Sequence, residues 1–239
     1  MQMTLQKSYE KRNWIFKCNY CHFKIVLHTI IIIVCIFYCA IINAIKEDIK
    51  MNKNIKKFAL IAMFAAVSFV VFTYGRIDIP LAAGSKVSIH IANAIIVVCA
   101  FLLGPVEGGL AGAIGLSIAD IIDPVYITVA PKTFILKFMI GFIAGSVAHK
   151  IFKINDIKDN KKVVIASLVS SICGLGFNVI FDPLLGYVYK RFILQIGEVS
   201  ANLILAWTSG VTLFNAVVCV FVATILYVAL RKPFARFKI

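Results

Sequence analysis

Apolar runs of about 17–25 residues recur along this chain, each long enough to cross a hydrocarbon core of roughly 30 Å as a helix. Between them stand short clusters of lysine and arginine. In lipid every backbone polar group must be satisfied within the protein, so only helices and closed barrels can span. The alternation over about ten residues that a barrel strand requires is absent, so the spans read as helices. Composition agrees: 61% of the residues are hydrophobic, 15% are charged and the mean hydropathy is +0.94. The expected fold class is an all-α integral membrane protein.

Six spans are predicted after Met51, at about residues 57–75, 87–103, 106–122, 133–152, 163–184 and 204–230. Basic residues divide them by side. Lys53, Lys56, Lys57, Lys150, Lys153, Lys158, Lys161, Lys162, Arg231, Lys232, Arg236 and Lys238 fall on one side. Arg76, Lys86, Lys132, Lys190 and Arg191 fall on the other. The richer side is expected to be cytoplasmic, with both termini of residues 51–239 inside. The net charge of +14 is thereby topological. No basic face interleaved with stacking aromatics occurs, and no nucleic-acid partner is expected.

Residues 1–50 read differently. Ile25–Ile45 is long enough to span, but basic residues flank both ends, and an extra helix would put Lys7, Lys11, Arg12, Lys17 and Lys24 outside. Met51 opens MNKNIKKFALIAMFAA, a short basic start before a helix. Lys46-Glu47-Asp48 is encodable as a bacterial ribosome-binding sequence upstream of it. Residues 1–50 are therefore expected to be a leader, with an extra N-terminal helix as the competing reading. A peptide from Ile25–Ile45 in membrane-fraction mass spectrometry overturns the leader reading. Cys18-x-x-Cys21-His22 matches a haem-attachment pattern, but it is short and isolated, and chance explains it.

Ionisable residues within or at the edge of a membrane are costly and so draw attention. Asp120 and Asp123, three apart, share a face at the outer end of the third span; Thr133 and Lys137, four apart, share one on the fourth. One Asp–Lys contact would satisfy the lysine, as a structural pair or as a substrate contact. Arg76, Asp78 and Lys86 fall in the loop after the first span, and His90 and Asn93 near the outer end of the second. Asn178 and Asp182 share a face of the fifth span, which Asp182-Pro183 is expected to break. Lys132, Tyr187, Asn202, Trp207 and Asn215 complete an outer-end set suited to a flat, partly polar organic molecule. The glycines Gly108, Gly112, Gly115, Gly141 and Gly145 read as helix-packing faces. Ala62 and Ala66 form a small-x-x-x-small pair that allows close helix approach, inside the bundle or with a partner. No phosphate loop and no H-E-x-x-H or G-x-S-x-G motif occurs, and neither a metal nor another cofactor is expected. A membrane enzyme using Asp120, Asp123 or Asp182 is disfavoured, because aspartates beside prolines serve turns more often.

Taken together, SIHIAN (Ser88–Asn93), GPVEGGLAGAIG (Gly104–Gly115), Asp120 with Asp123-Pro124, and APKTFILKFMIGFIAG (Ala130–Gly145) resemble the S components of energy-coupling factor (ECF) vitamin transporters. The resemblance covers residues 51–239. It implies a six-helix bacterial plasma-membrane subunit that captures a vitamin near its outer face. It implies that Ala62 and Ala66 dock a T component, and that two ABC-type ATPase chains power release. Loops Arg76–Lys86, Asp123–Lys132 and Tyr187–Ala201 would cover the site. The pattern over Ile89–Gly145 is similar to the riboflavin-type group, which ranks riboflavin first, with pyridoxine, pantothenate and thiamine precursors as other ligands. The alternative is a stand-alone secondary transporter, which calls for an inverted repeat that residues 57–122 and 133–230 do not display.

Overall fold

The computed structural model describes residues 53–81 and 84–235. The leader question and the Cys18–His22 pattern lie outside these residues, as do Arg236 and Lys238.

Six helices follow in order: α1 (Lys53–Tyr74), α2 (Ala92–Leu103), α3 (Pro105–Ile122), α4 (Ala130–Ser146), α5 (Asn160–Val188) and α6 (Glu198–Phe234). All but α2 are long and apolar enough to cross a membrane. Helix α4 runs on into a π turn at Val147–Ile151, and α5 into another at Tyr189–Ile193. Each helix is apolar around most of its circumference, as a helix shared between lipid and a bundle interior must be. Phe58, Ile121, Ile172, Phe221 and Ile225 remain exposed, whereas Phe64, Phe101, Leu116, Leu136 and Leu175 are buried.

Four expectations are corrected. The second span does not begin as a helix at residue 87. Strands β1 (Ile77–Pro80) and β2 (Lys86–Ile89) form an antiparallel hairpin in which Asp78 faces Ser88. Helix α2 starts only at Ala92 and, at 12 residues, rises about 18 Å, too little to span alone. His90 therefore precedes the helix that carries Asn93. The strands are four residues each, too short for alternation to be legible against the apolar background.

The fifth span is not broken at Asp182-Pro183. Pro183 lies inside α5, which continues to Val188. Proline removes one backbone bond, a loss that neighbouring helices and side chains can make good within a membrane bundle. The outer loop expected over Tyr187–Ala201 shrinks accordingly to Leu194–Gly197. Finally, Asp120 and Asp123 part company: Asp120 ends up buried in the bundle, while Asp123 caps α3 in extended conformation.

Without a hydrophobic drive between helices in lipid, close approach of small residues holds the bundle. A Cβ on Gly108 would lie 2.4 Å from Ala100, and one on Gly141 would lie 2.4 Å from the Gly109 backbone nitrogen. One on Gly115 would meet the Ala65 carbonyl at 2.3 Å. Helix α3 thus rests against α1, α2 and α4 through positions where only glycine fits. Gly104, at φ 132°, is the whole connection between α2 and α3.

Contacts at the helix ends sort them into two groups. At one end Lys57 pairs with Glu107 at 2.9 Å, His149 Nε2 donates to the Ala100 carbonyl at 2.9 Å, and Arg231 donates to the Ile157 carbonyl at 2.7 Å. The hairpin, the α3–α4 connection and the α5–α6 connection gather at the other. The lysine-rich loops thus share one end, and the polar candidates collect at the opposite one.

Candidate functional site

A cavity of about 390 Å³ opens at the hairpin end, within the range of small-molecule sites. Strand β2, the α3–α4 connection and helices α2 to α6 contribute to its wall, and Phe72 of α1 closes one side.

The hairpin is held over this cavity by two cations and two carboxylates. Arg76 bonds Asp123 and lies 3.3 Å from Asp78; Lys86 Nζ donates to Asp78 at 2.7 Å and to Asp123 at 2.8 Å. Ser88 Oγ donates to Asp78 at 2.5 Å and lies 2.7 Å from the Tyr126 hydroxyl. Burial opposes the charge on Lys86, but the Asp123 and Asp78 carboxylates outweigh it and hold the ammonium above its ordinary value. Burial likewise opposes the charge on Asp123, yet hydrogen bonds from Lys86, the Val125 amide and Arg76 hold its carboxyl below the usual range. Aromatic faces lie beneath these cations. The Arg76 guanidinium sits 4.9 Å from the Phe72 ring centre and 5.3 Å from that of Tyr126; Lys86 Nζ sits 5.0 Å from the Tyr126 ring. Phe72 meets His90 edge-on at 4.8 Å.

Helix α5 presents its polar stripe to the cavity. Asn178, Asp182, Gly186 and Lys190 recur every fourth residue, so they share one side of the helix. Lys132, in the first turn of α4, donates to Asp182 Oδ1 at 2.6 Å, and Thr212 of α6 donates to Oδ2 at 3.2 Å. Asp182 thus pairs with Lys132 and leaves Lys137 without an ion pair among the described residues, against the single contact expected for that lysine. Lys137 is only 8% exposed and lies within electrostatic reach of Asp182 and Asp120. Asp120 faces Thr133 and Lys137 across the α3–α4 contact.

Two of the buried amides have an oxygen without a hydrogen-bond partner. Asn93 and Asn178 are both 2% exposed with an unpartnered Oδ1, and His90 Nδ1 is also unpartnered. All three residues line the cavity. Buried polar atoms normally find a partner, so these are positioned for a ligand or solvent. Asn215 differs: its Nδ2 donates to the Ser88 carbonyl at 2.9 Å and its Oδ1 accepts from the His90 amide at 3.2 Å. It ties α6 to the end of β2 and so sets the position of the hairpin.

Of the residues singled out in the sequence, Lys86, His90, Asn93, Asp120, Lys132, Thr133, Lys137, Asn178, Asp182 and Asn215 line the cavity. Arg76 and Asp123 stand behind the wall in the hairpin clamp. Tyr187 lies half-buried near the end of α5, and Asn202 and Trp207 sit exposed on α6; none of these three lines the cavity. Sequence reasoning passed over Phe72, Tyr126, Lys190 and Thr212. The i+4 interval from Asp182 through Gly186 would have found Lys190; nothing local marks Phe72, one phenylalanine among 19. Ala62 and Ala66 are exposed on α1, together with Ala59. Among the described residues no group of three histidine, cysteine or acidic side chains is placed to hold a metal.

Residues 52–232 match the family described as ECF-type riboflavin transporter, S component. No curated protein matches the sequence. Among solved structures, the S component of a bacterial ECF transporter is similar in fold, with a TM-score of 0.50 at 18% identity, over 75% of this chain and 98% of that one. The six-helix bundle and a family match over most of its length agree: the chain belongs to the ECF-type riboflavin transporter S-component family.

Proposed function

We propose that this membrane subunit captures riboflavin from outside a bacterial cell and hands it inward as the specificity component of an ECF-type transporter. As a member of this family the chain is the substrate-binding subunit of a vitamin transporter; riboflavin, the side of entry and the partners are the proposed part. The observation that carries the reading is the cavity of about 390 Å³, with the Phe72 and Tyr126 rings at one side and the unpartnered amide oxygens of Asn93 and Asn178 in its wall. A flat ring system with edge donors fits such a wall: ring faces against the aromatics, ring N–H toward the amide oxygens. The positive-inside rule puts the cavity end outside and both ends of residues 51–239 in the cytoplasm. The protein acts by binding, not as an enzyme.

Docking to a T component is assigned to the exposed face of α1 at Ala62 and Ala66, with two ABC-type ATPases driving release. Ala62→Leu combined with Ala66→Leu abolishes co-purification of the T component and leaves ligand binding intact; an undiminished complex overturns that assignment.

The binding test is direct. The full chain is purified in detergent, small molecules that accompany it are identified by mass spectrometry, and riboflavin is titrated by quenching of its own fluorescence. Saturable submicromolar binding is expected. A vitamin other than a flavin in the extract, with no saturable quenching, refutes the riboflavin assignment.

A further inference from the structure

Helices α5 and α6 carry a longer exposed apolar surface than the core of a bilayer accepts. On α5 and its π turn, exposed apolar side chains run from Ile165 to Phe192, about 40 Å at about 1.5 Å per residue. On α6 they run from Val199 to Ile225, about 39 Å by the same rise. The hydrocarbon core is roughly 30 Å thick, so each helix has about 10 Å to place elsewhere. The lysine-rich end cannot take it, because Lys162 stands one turn from Ile165 and Arg231 within two turns of Ile225. The excess falls at the cavity end, at the tip where Leu194–Gly197 joins the two helices.

The tip is two-sided. Ile180, Leu184, Val188 and Phe192 recur every fourth residue, two residues out of step with Asn178, Asp182, Gly186 and Lys190. Two residues are about 200° around a helix of about 3.6 residues per turn, so this apolar row lies opposite the row that faces the cavity. Val199, Leu203 and Trp207 repeat the spacing on α6, where Thr208, Val211, Thr212 and Asn215 line the cavity. Lys190 and Leu194 border the cavity, whereas their neighbours Phe192 and Ile193 point away from it, 70% and 61% exposed, and Val199 is 85% exposed.

In water these three side chains would leave an apolar patch uncovered. The patch runs on into the lipid-facing surface of both helices, through Val188, Leu184 and Ile180 on α5 and Leu203 and Trp207 on α6. Half-buried Tyr187, Tyr189 and Arg191 border it, aromatic and cationic types that settle at a membrane–water interface.

We propose that the α5–α6 tip is an interfacial anchor, embedded in the leaflet at the cavity end with Phe192, Ile193 and Val199 among the acyl chains and Arg191 at the phosphate headgroups. Lipid thus backs the wall that Lys190, Leu194 and Ile196 give to the cavity, and the mouth of the site lies at headgroup depth. This holds whichever molecule the cavity takes.

The test places the full chain in phosphatidylcholine vesicles and reads tryptophan fluorescence. The two native tryptophans are removed as Trp14→Phe and Trp207→Phe, and one is returned as Phe192→Trp or Val199→Trp. Ile172→Trp, on the lipid-facing side of α5, and Asp156→Trp, exposed in the lysine-rich loop, calibrate lipid and water. Both tip variants are expected to emit to the blue of Asp156→Trp, to resist acrylamide and to be quenched by lipid brominated on its acyl chains. Emission and quenching like those of Asp156→Trp put the tip in water and overturn the proposal. Protection from acrylamide without quenching by brominated lipid means that protein covers the tip, a partner or a second copy, and overturns it as well.

Discussion

The hairpin cluster sets Arg76 and Lys86 against Asp78 and Asp123, two cations to two carboxylates. The cavity cluster sets Lys132, Lys137 and Lys190 against Asp120 and Asp182, three to two. In the first, every charge touches an opposite one, and the cation faces are spent on Phe72 and Tyr126. The charges of such a group have no capacity left for a ligand and serve to hold β1 and β2 in place, while the Phe72 and Tyr126 rings still border the cavity. In the second, one pair is complete and two ammoniums have no ion-pair partner among the described residues, so capacity remains. Charge in this bundle thus divides into a clamp and a receptor, although both lie at the same end.

The largest test of that division is at Asp182. Asp182→Asn leaves Lys132 without a counter-charge at a site where both side chains are mostly buried, and should cost about 3 kcal/mol. It is read as a lowered midpoint of thermal unfolding in detergent. Adding Lys132→Gln should recover a good part of the loss, because removing both charges also removes their desolvation cost. No recovery would mean that the pair is not an isolated unit.

Asn178→Leu sharpens the receptor half. The Asn178 oxygen has no partner in the protein, so the substitution should weaken flavin binding by about tenfold while leaving thermal stability unchanged or raised by up to about 1 kcal/mol. A large loss of stability would instead make Asn178 a structural amide, as Asn215 is.

The clamp half carries the smallest effects. Asp123→Asn should cost about 1 kcal/mol and speed hydrogen exchange across Ile77–Ile89, with less change elsewhere. Its pH dependence has a definite sign. The Asp123 carboxyl is held below its ordinary value, so its contribution is present above the unfolded value near 4 and is lost as pH falls through the depressed folded value. The Lys86 ammonium is held above its ordinary value, so its contribution is present below about 10.4 and is lost as pH rises through the raised folded value. Protection of the hairpin amides, read as exchange relative to the intrinsic rate at each pH, should therefore be high and flat between about pH 4 and about pH 10 and fall on either side.

How much of this was legible follows from where the information lies. The helices α1, α3, α4, α5 and α6 each emerge from a local sum of hydropathy, and their ends from prolines, glycines and basic clusters within a few residues. The glycine faces of α3 and α4 were readable because small-x-x-x-small spacing is a property of one helix. Hairpin β1–β2 was not readable, since four-residue strands carry too little pattern, and α5 ran through Pro183 because its neighbours decide whether that lost bond matters.

The sequence by itself determined the membrane class, the order of helices, the lysine-rich end and the family. Each of these depends on composition and spacing along a single stretch. Only the tertiary structure decided that Asp182 pairs with Lys132 and not with Lys137, and that Asp120 and Asp123, three residues apart, serve different clusters. Partners separated by 50 residues, as Lys132 and Asp182 are, meet only through helix packing. The charge left over at Lys190 is a remainder of those pairings, and no local pattern encodes a remainder.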